Sequence, residues 1–194
     1  MTRTCFRYAA MALAIGVLGA ACRPVSAPGG TAVGASTPGS WDVCFSPGGH
    51  CTSRLVDVLA QARSSIFVQA YSFTSTPIAT ALVAAHRRGV RVEVLLDKSQ
   101  PTQRDSLGWF LLDAGVPVAI DAEHSIAHNK VMVIDGTIVV TGSFNFTRSA
   151  EVRNAENLLI VHDPALAARY YRNWQEHAAH ARPADRRDVI TPRQ

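Results

Sequence analysis

Lysine is nearly missing from this 194-residue chain: of 19 basic residues only Lys98 and Lys130 are lysine, the rest arginine. Strong charge of either sign is missing too. The net charge is +4, and between residues 38 and 180 there are 12 basic against 13 acidic residues, so the dense positive surface expected of a strong nucleic-acid binder is not in the composition. No apolar run is long enough to cross a bilayer, which leaves no transmembrane segment in the mature protein. Of 4 cysteines only Cys44 and Cys51 lie beyond residue 40, enough for one bridge and too few for a cysteine-built zinc module. No internal repeat is visible.

The N-terminus accounts for the longest apolar stretch. Arg3 and Arg7 precede Ala9 to Ala21, which ends in small residues, so residues 1–21 read as a secretory signal peptide and the protein as exported, periplasmic or secreted. Cys22 follows Leu18-Gly-Ala-Ala21. It is a candidate lipidation site, although the leucine stands one place further from the cysteine than a good lipid-attachment box requires, and plain secretion and lipid anchoring both stay open. Residues 22–40, rich in Pro, Gly, Ser, Ala and Thr, read as a flexible linker. In an oxidising compartment Cys44 and Cys51 are expected to pair across the Pro-Gly-Gly loop between them. His50 beside Cys51 does not argue for zinc there, because no second Cys or His cluster with ligand spacing accompanies it.

The roughly 155 residues that follow are enough for one domain with a sizeable core. Apolar strand patterns alternate with helical ones, which places the fold in the α/β class, an α-β-α sandwich around a mixed sheet spanning 41–181. Ser53 is expected to cap a helix over 54–63. Strands are expected at 66–73, 90–96 and 116–120, helices at 77–88, 105–114 and 165–178, and a charged, disordered tail over 182–194.

The chemistry is concentrated between His128 and Asn145. Asp135-Gly136 lies between the β-branched runs 131–134 and 137–141, the strongest short-range hairpin signal. A two-residue turn there sets His128 opposite Ser143 and Lys130 opposite Thr141, with Asn145 beyond, so an imidazole, an ammonium, a hydroxyl and an amide share one face. That set suits a phosphate ester: a neutral imidazole can attack phosphorus while a cation and neutral donors hold the oxygens that gain charge, and no metal or cofactor is called for. Lysine at 130, in a chain that otherwise uses arginine, suggests that a compact point charge is needed. Any one of these residues alone would be an ordinary surface group. Six specified positions at fixed spacing match by accident about once in 10^7 to 10^8 starting points.

The segment His128-x-Lys130-x4-Asp135-x6-Gly142-Ser143-x-Asn145 resembles the signature of the phospholipase D superfamily, with no departure from it. The resemblance extends over roughly 40–178 and is greatest to the short, single-motif bacterial endonuclease branch. It implies that His128 forms a covalent phosphohistidine, and that Lys130, Ser143 and Asn145 bind the phosphate. It further implies that Glu156, ahead of the apolar run 158–161, orients the imidazole. Asp135 completes the set, with geometric support for the turn as its first reason. The family uses two motif histidines, whereas His50, His86, His124, His162, His177 and His180 all lack the lysine two places on. The implied enzyme is therefore a homodimer sharing one active site.

The resemblance leaves the substrate open between nucleic acid, read as an endonuclease reaction, and the headgroup diester of a phospholipid. Arg148 and Arg153 flank the motif and are the candidate rim for a polyanion, while the balanced charge of the rest argues against a broad one. Phe144 and Phe146 are the only apolar residues beside the hairpin that could serve a lipid surface, and packing explains them as well. A module that binds phosphate without cleaving it is disfavoured, since pure binding has no use for the nucleophile.

Overall fold

The computed structural model describes residues 39–185. The expected signal peptide, Cys22, nearly all of the expected linker and the end of the tail lie outside the described residues.

Eight strands form one mixed sheet in the order β1-β7-β6-β5-β2-β3-β4-β8. β2 (Ser65–Ala70), β3 (Arg91–Asp97) and β4 (Val118–Asp121) run parallel; β5 (Lys130–Ile134) pairs antiparallel with β2 and opens an antiparallel run through β6 (Ile138–Gly142), β7 (Glu156–His162) and β1 (Ser40–Ser46). Every residue of β5 is buried, as the continuous Val-Met-Val-Ile run demands of a central strand covered on both faces.

One face carries α1 (Cys51–Gln61), α2 (Thr76–Arg87) and α3 (Gly108–Asp113), packed on Ile66, Val68, Val94, Leu96, Met132 and Ile134. The other carries α5 (Pro164–His180), packed on Phe67, Leu95, Val131 and Val133. Odd and even strand positions thus serve different layers, and the expected sandwich is present. Asp163 caps α5 by accepting the N–H groups of Ala165 at 2.8 Å and Leu166 at 3.0 Å. Trp174, whose ring sits 4.8 Å from that of Phe67, donates its indole N–H to the carbonyl of Val68 at 3.1 Å and pins the helix to the sheet.

Four local expectations need correction. The first helix begins at Cys51 with His50 as cap, and Ser53 lies inside its first turn, donating to the carbonyl of His50. The early start follows from the Cys44–Cys51 disulfide, which ties that turn to β1 and, by closing a short loop, is worth roughly 2–3 kcal/mol. The linker ends sooner than expected, because Ser40 already pairs with His162. The tail does not begin at residue 182, since β8 (Arg182–Pro183) pairs with Ile120 and Ala119 along the edge that β4 would otherwise leave open. A short helix, α4 (Arg148–Val152), capped by Thr147, was not anticipated.

The fourth correction concerns the hairpin. Asp135 and Gly136 do occupy the turn, both left-handed at φ 53° and 64°, and Thr137 donates to the carbonyl of Ile134 at 3.1 Å. The next pair, however, is Ile134 with Ile138, so Thr137 is an extra residue and the register slips by one. The physical reason lies outside the hairpin: the carbonyl of Thr137 turns away to accept the N–H of Asp163 at 2.9 Å. Lys130 is therefore level with Gly142 rather than Thr141.

Asp135 has its own support. Its carboxylate accepts the backbone N–H groups of Arg63, Ser64 and Ser65 and the hydroxyl of Ser64, all between 2.8 and 3.2 Å. Burial pushes this carboxyl up, but the donors of Ser65, Ser64 and Arg63 outweigh it and hold the group below the ordinary carboxylate range. A depressed folded-state pKa contributes stability that is present above the unfolded value of about 3.9 and lost as pH falls through the folded one. Asp135→Asn should therefore lower the melting temperature at pH 7, and the gap to the parent should narrow as the pH falls below the ordinary carboxylate range. A gap independent of pH in thermal melts would contradict the charge-based anchor.

Candidate active site

The strand directions bring one edge of the sheet into focus. There β2, β3 and β4 finish at Ala70, Asp97 and Asp121, β6 finishes at Gly142, and β5 and β7 begin at Lys130 and Glu156. Carboxyl ends of parallel strands are where open α/β sheets offer room for ligands. His128, Lys130, Ser143, Asn145 and Glu156 all lie at this edge. Asp135, included among the catalytic candidates, sits at the far end of β5, about 16 Å of strand away from Lys130, and serves the turn instead.

Lys130 is 7% exposed, while His128, two residues earlier, is exposed in the loop before β5. The ammonium donates to the carbonyl of His128 at 2.7 Å and stands 5.0 Å from the ring centre of Tyr71. Tyr71 in turn packs on the imidazole of His128, ring centres 4.6 Å apart. Burial lowers the Lys130 pKa and the charge of Glu156 works in the opposite direction, leaving it below the usual lysine value. Glu156 accepts from the side-chain amide of Asn154 at 3.0 Å, and no hydrogen bond joins it to His128 among the described residues. Within one chain its charge is felt by the lysine.

Gly142 explains why the motif needs a glycine. Its φ is 144°, and a Cβ there would stand 2.3 Å from the backbone oxygen of Asn157 and 2.8 Å from its side-chain oxygen. This kink, rather than strand alternation, redirects the chain into the Ser143–Asn145 segment. The Ser143 hydroxyl accepts from the backbone and side-chain N–H groups of Asn157 at 3.1 and 3.3 Å. Asn145 keeps a buried side-chain oxygen with no hydrogen-bond partner among the described residues. Arg148 opens α4 and Arg153 follows it, both exposed.

The loop carrying His128 is held at three points. Asp97, itself buried, accepts the N–H of Ala127 at 2.7 Å; Lys98 donates to the carbonyl of His124 at 2.8 Å; and Tyr71 donates its N–H to the carbonyl of Asn129 at 3.0 Å. None of these supports was read from the sequence. Nor was a second constellation at this edge, in which His124, His177 and His180 surround the carboxylate of Asp121. Its trace in the sequence is a pair of three-residue spacings, Asp121 to His124 and His177 to His180, too far apart along the chain to be joined without the fold.

Known proteins resemble this chain over most of the described residues. The family described as cardiolipin synthase, PLD-like domain, matches residues 55–178. A protein of Rickettsia typhi named phospholipase D is 47% identical over 131 residues, 68% of this chain and 64% of its own length. A mitochondrial cardiolipin hydrolase of Xenopus tropicalis is 37% identical over 129 residues, 64% of this chain and 61% of its own. The chain thus spans a little under two thirds of these curated relatives. The crystal structure of Nuc from Salmonella typhimurium, a phospholipase D family member, superposes with a TM-score of 0.72 at 36% identity, covering 75% of this chain and 97% of that one.

Two outcomes follow from the geometry. Gly142→Ala should destabilise the protein by more than about 1 kcal/mol in denaturant titration, because both the φ and the space are wrong for a side chain; a smaller loss would mean that the kink is dispensable. Removing the Glu156 charge should lower the Lys130 titration further, since that charge raises it. With only two lysines in the chain, 13C-labelled lysine NMR of Glu156→Gln would read this directly, and an unmoved Lys130 signal would show that the carboxylate does not govern it.

Proposed function

Because this chain belongs to the phospholipase D superfamily, we propose that it is an exported phosphodiester hydrolase working through a phosphohistidine on His128 in a homodimer, with nucleic acid as the substrate. The observation that carries this reading is the convergence of His128, Lys130, Ser143 and Asn145 at one open edge of the sheet. The imidazole nitrogen of His128 attacks phosphorus and the bond to the leaving oxygen breaks; that oxygen takes a proton from His128 of the second copy. Water, deprotonated by the same second imidazole, then displaces the first and releases the phosphate monoester. Lys130 and the amide of Asn145 lower the barrier by meeting the equatorial oxygens. A two-fold axis through the site supplies the histidine that one chain lacks, and would let Glu156 of either copy reach an imidazole that its own chain does not offer it.

The exposed position of His128 suits a polymer lying across the edge, with the exposed Arg148 and Arg153 on its rim. A phospholipid headgroup is the second reading. It is favoured by the exposed apolar side chains of Ile126, two residues before His128, of Phe45 near the start of β7, and of Val152 on α4. The names of the Rickettsia and Xenopus relatives point the same way.

The deciding experiment incubates the purified protein, in excess EDTA, with supercoiled plasmid and in parallel with anionic phospholipid vesicles, beside His128→Ala. Nicking by the parent alone, falling on dilution as dimer gives way to monomer, is the expected result. Headgroup release without nicking would move the substrate to lipid, and turnover by His128→Ala equal to the parent's would overturn the phosphohistidine scheme.

A further inference from the structure

We propose that Asp121, His124, His177 and His180 form a site for one divalent transition-metal ion, zinc by the chemistry of its donors, which clamps the loop between β4 and β5 onto the end of α5. The four ligating atoms lie within 4.8 Å of one another. Asp121 is central: its carboxylate stands 2.7 Å from Nδ1 of His177, 3.1 Å from Nδ1 of His124 and 3.3 Å from Nε2 of His180. Bonds of ~2.0–2.1 Å to each donor would need only small side-chain rotations to draw this group into a tetrahedron. Three imidazoles and one carboxylate exclude magnesium and calcium, which prefer oxygen donors, and match a closed structural zinc site.

Satisfying a buried carboxylate does not by itself call for this arrangement. One or two donors would do, yet three imidazoles crowd together with ring centres 4.8 to 5.5 Å apart, a costly grouping once more than one of them is charged. Second-sphere groups are also in place. Nδ1 of His180 faces Glu123 at 3.5 Å while its Nε2 faces Asp121, the carboxylate–histidine–metal relation that fixes a ligating ring. Gln69, 4% exposed and with both side-chain polar atoms lacking a partner among the described residues, lines a cavity of about 10 Å3 together with Asp121, Asn129 and His177. An unspent buried amide beside the cluster is what a second-sphere water, outside the four ligands, would engage.

The placement says what the ion does. His177 and His180 share one face of α5, one turn apart, and Asp121 and His124 bracket the exit from β4. Only three residues separate His124 from His128. The ion therefore ties down the nucleophile's loop from its far side without entering the reaction, and this role is independent of which phosphodiester is cleaved.

The test uses the full chain purified without a histidine tag, stripped with EDTA and dialysed, then titrated with ZnCl2 by calorimetry. One ion per chain with a dissociation constant below about 1 µM is expected. A rise in melting temperature of about 5–10 °C at 100-fold excess over that constant should accompany it, with slowed amide exchange over residues 122–127. H177A/H180A should abolish binding, and His86→Ala should leave it unchanged. Should the double variant fail to fold by circular dichroism, His124→Ala, whose side chain is 46% exposed, should still weaken binding at least tenfold. The site is overturned if zinc does not bind, if binding survives these changes, or if the loop gains no protection.

Discussion

The burial of one ammonium group organises the reactive edge of this protein. Lys130 begins a strand that is covered on both faces, and a cation placed there loses water that the protein must replace. The replacements are the carbonyl of His128, the face of Tyr71 and the charge of Glu156. Each also fixes something else. The carbonyl sets the backbone of His128, Tyr71 packs on its ring, and Glu156 opens β7, whose next residue meets both Gly142 and Ser143. The cost of burying Lys130 is thus converted into a defined position for His128, and a longer or more diffuse cation would not reach the same carbonyl in the same space.

A single loop then joins the two constellations at this edge. Residues 122–129 leave β4 beside the three histidines and enter β5 beside the lysine, held between by Asp97 and Lys98. Strand pairing at the opposite edge, through Asp135 and its four donors, keeps β5 from sliding against β2 and so preserves the level of Lys130. The motif residue furthest from the chemistry acts on it through the register of the strand between them.

Much of this was readable in the chain because it is local. The layers follow from alternating apolar segments, the turn from Asp135-Gly136, and the reactive set from residue types at fixed spacing. What the sequence could not disclose is set by distant partners. The extra residue at Thr137 exists because its carbonyl serves Asp163, so the expected register was off by one and Thr141 was placed wrongly beside Lys130. Gly142 looked like a motif letter until Asn157 was seen against it. The imidazole cluster needed α5 to be laid on the sheet by Trp174 and Phe67 before its two halves could meet. The candidate set rests on the spacing of the motif and not on the face assigned to each residue, so a slip of one in register leaves it unchanged.

The most direct test of the account is to find where phosphorus goes during turnover. A 32P-labelled diester substrate, quenched in alkali within the first turnover and followed by peptide mass spectrometry, should yield a base-stable phosphoramidate on the peptide containing His128 and none in His128→Ala. Label on Ser143, or turnover with no label on the protein at all, would contradict it.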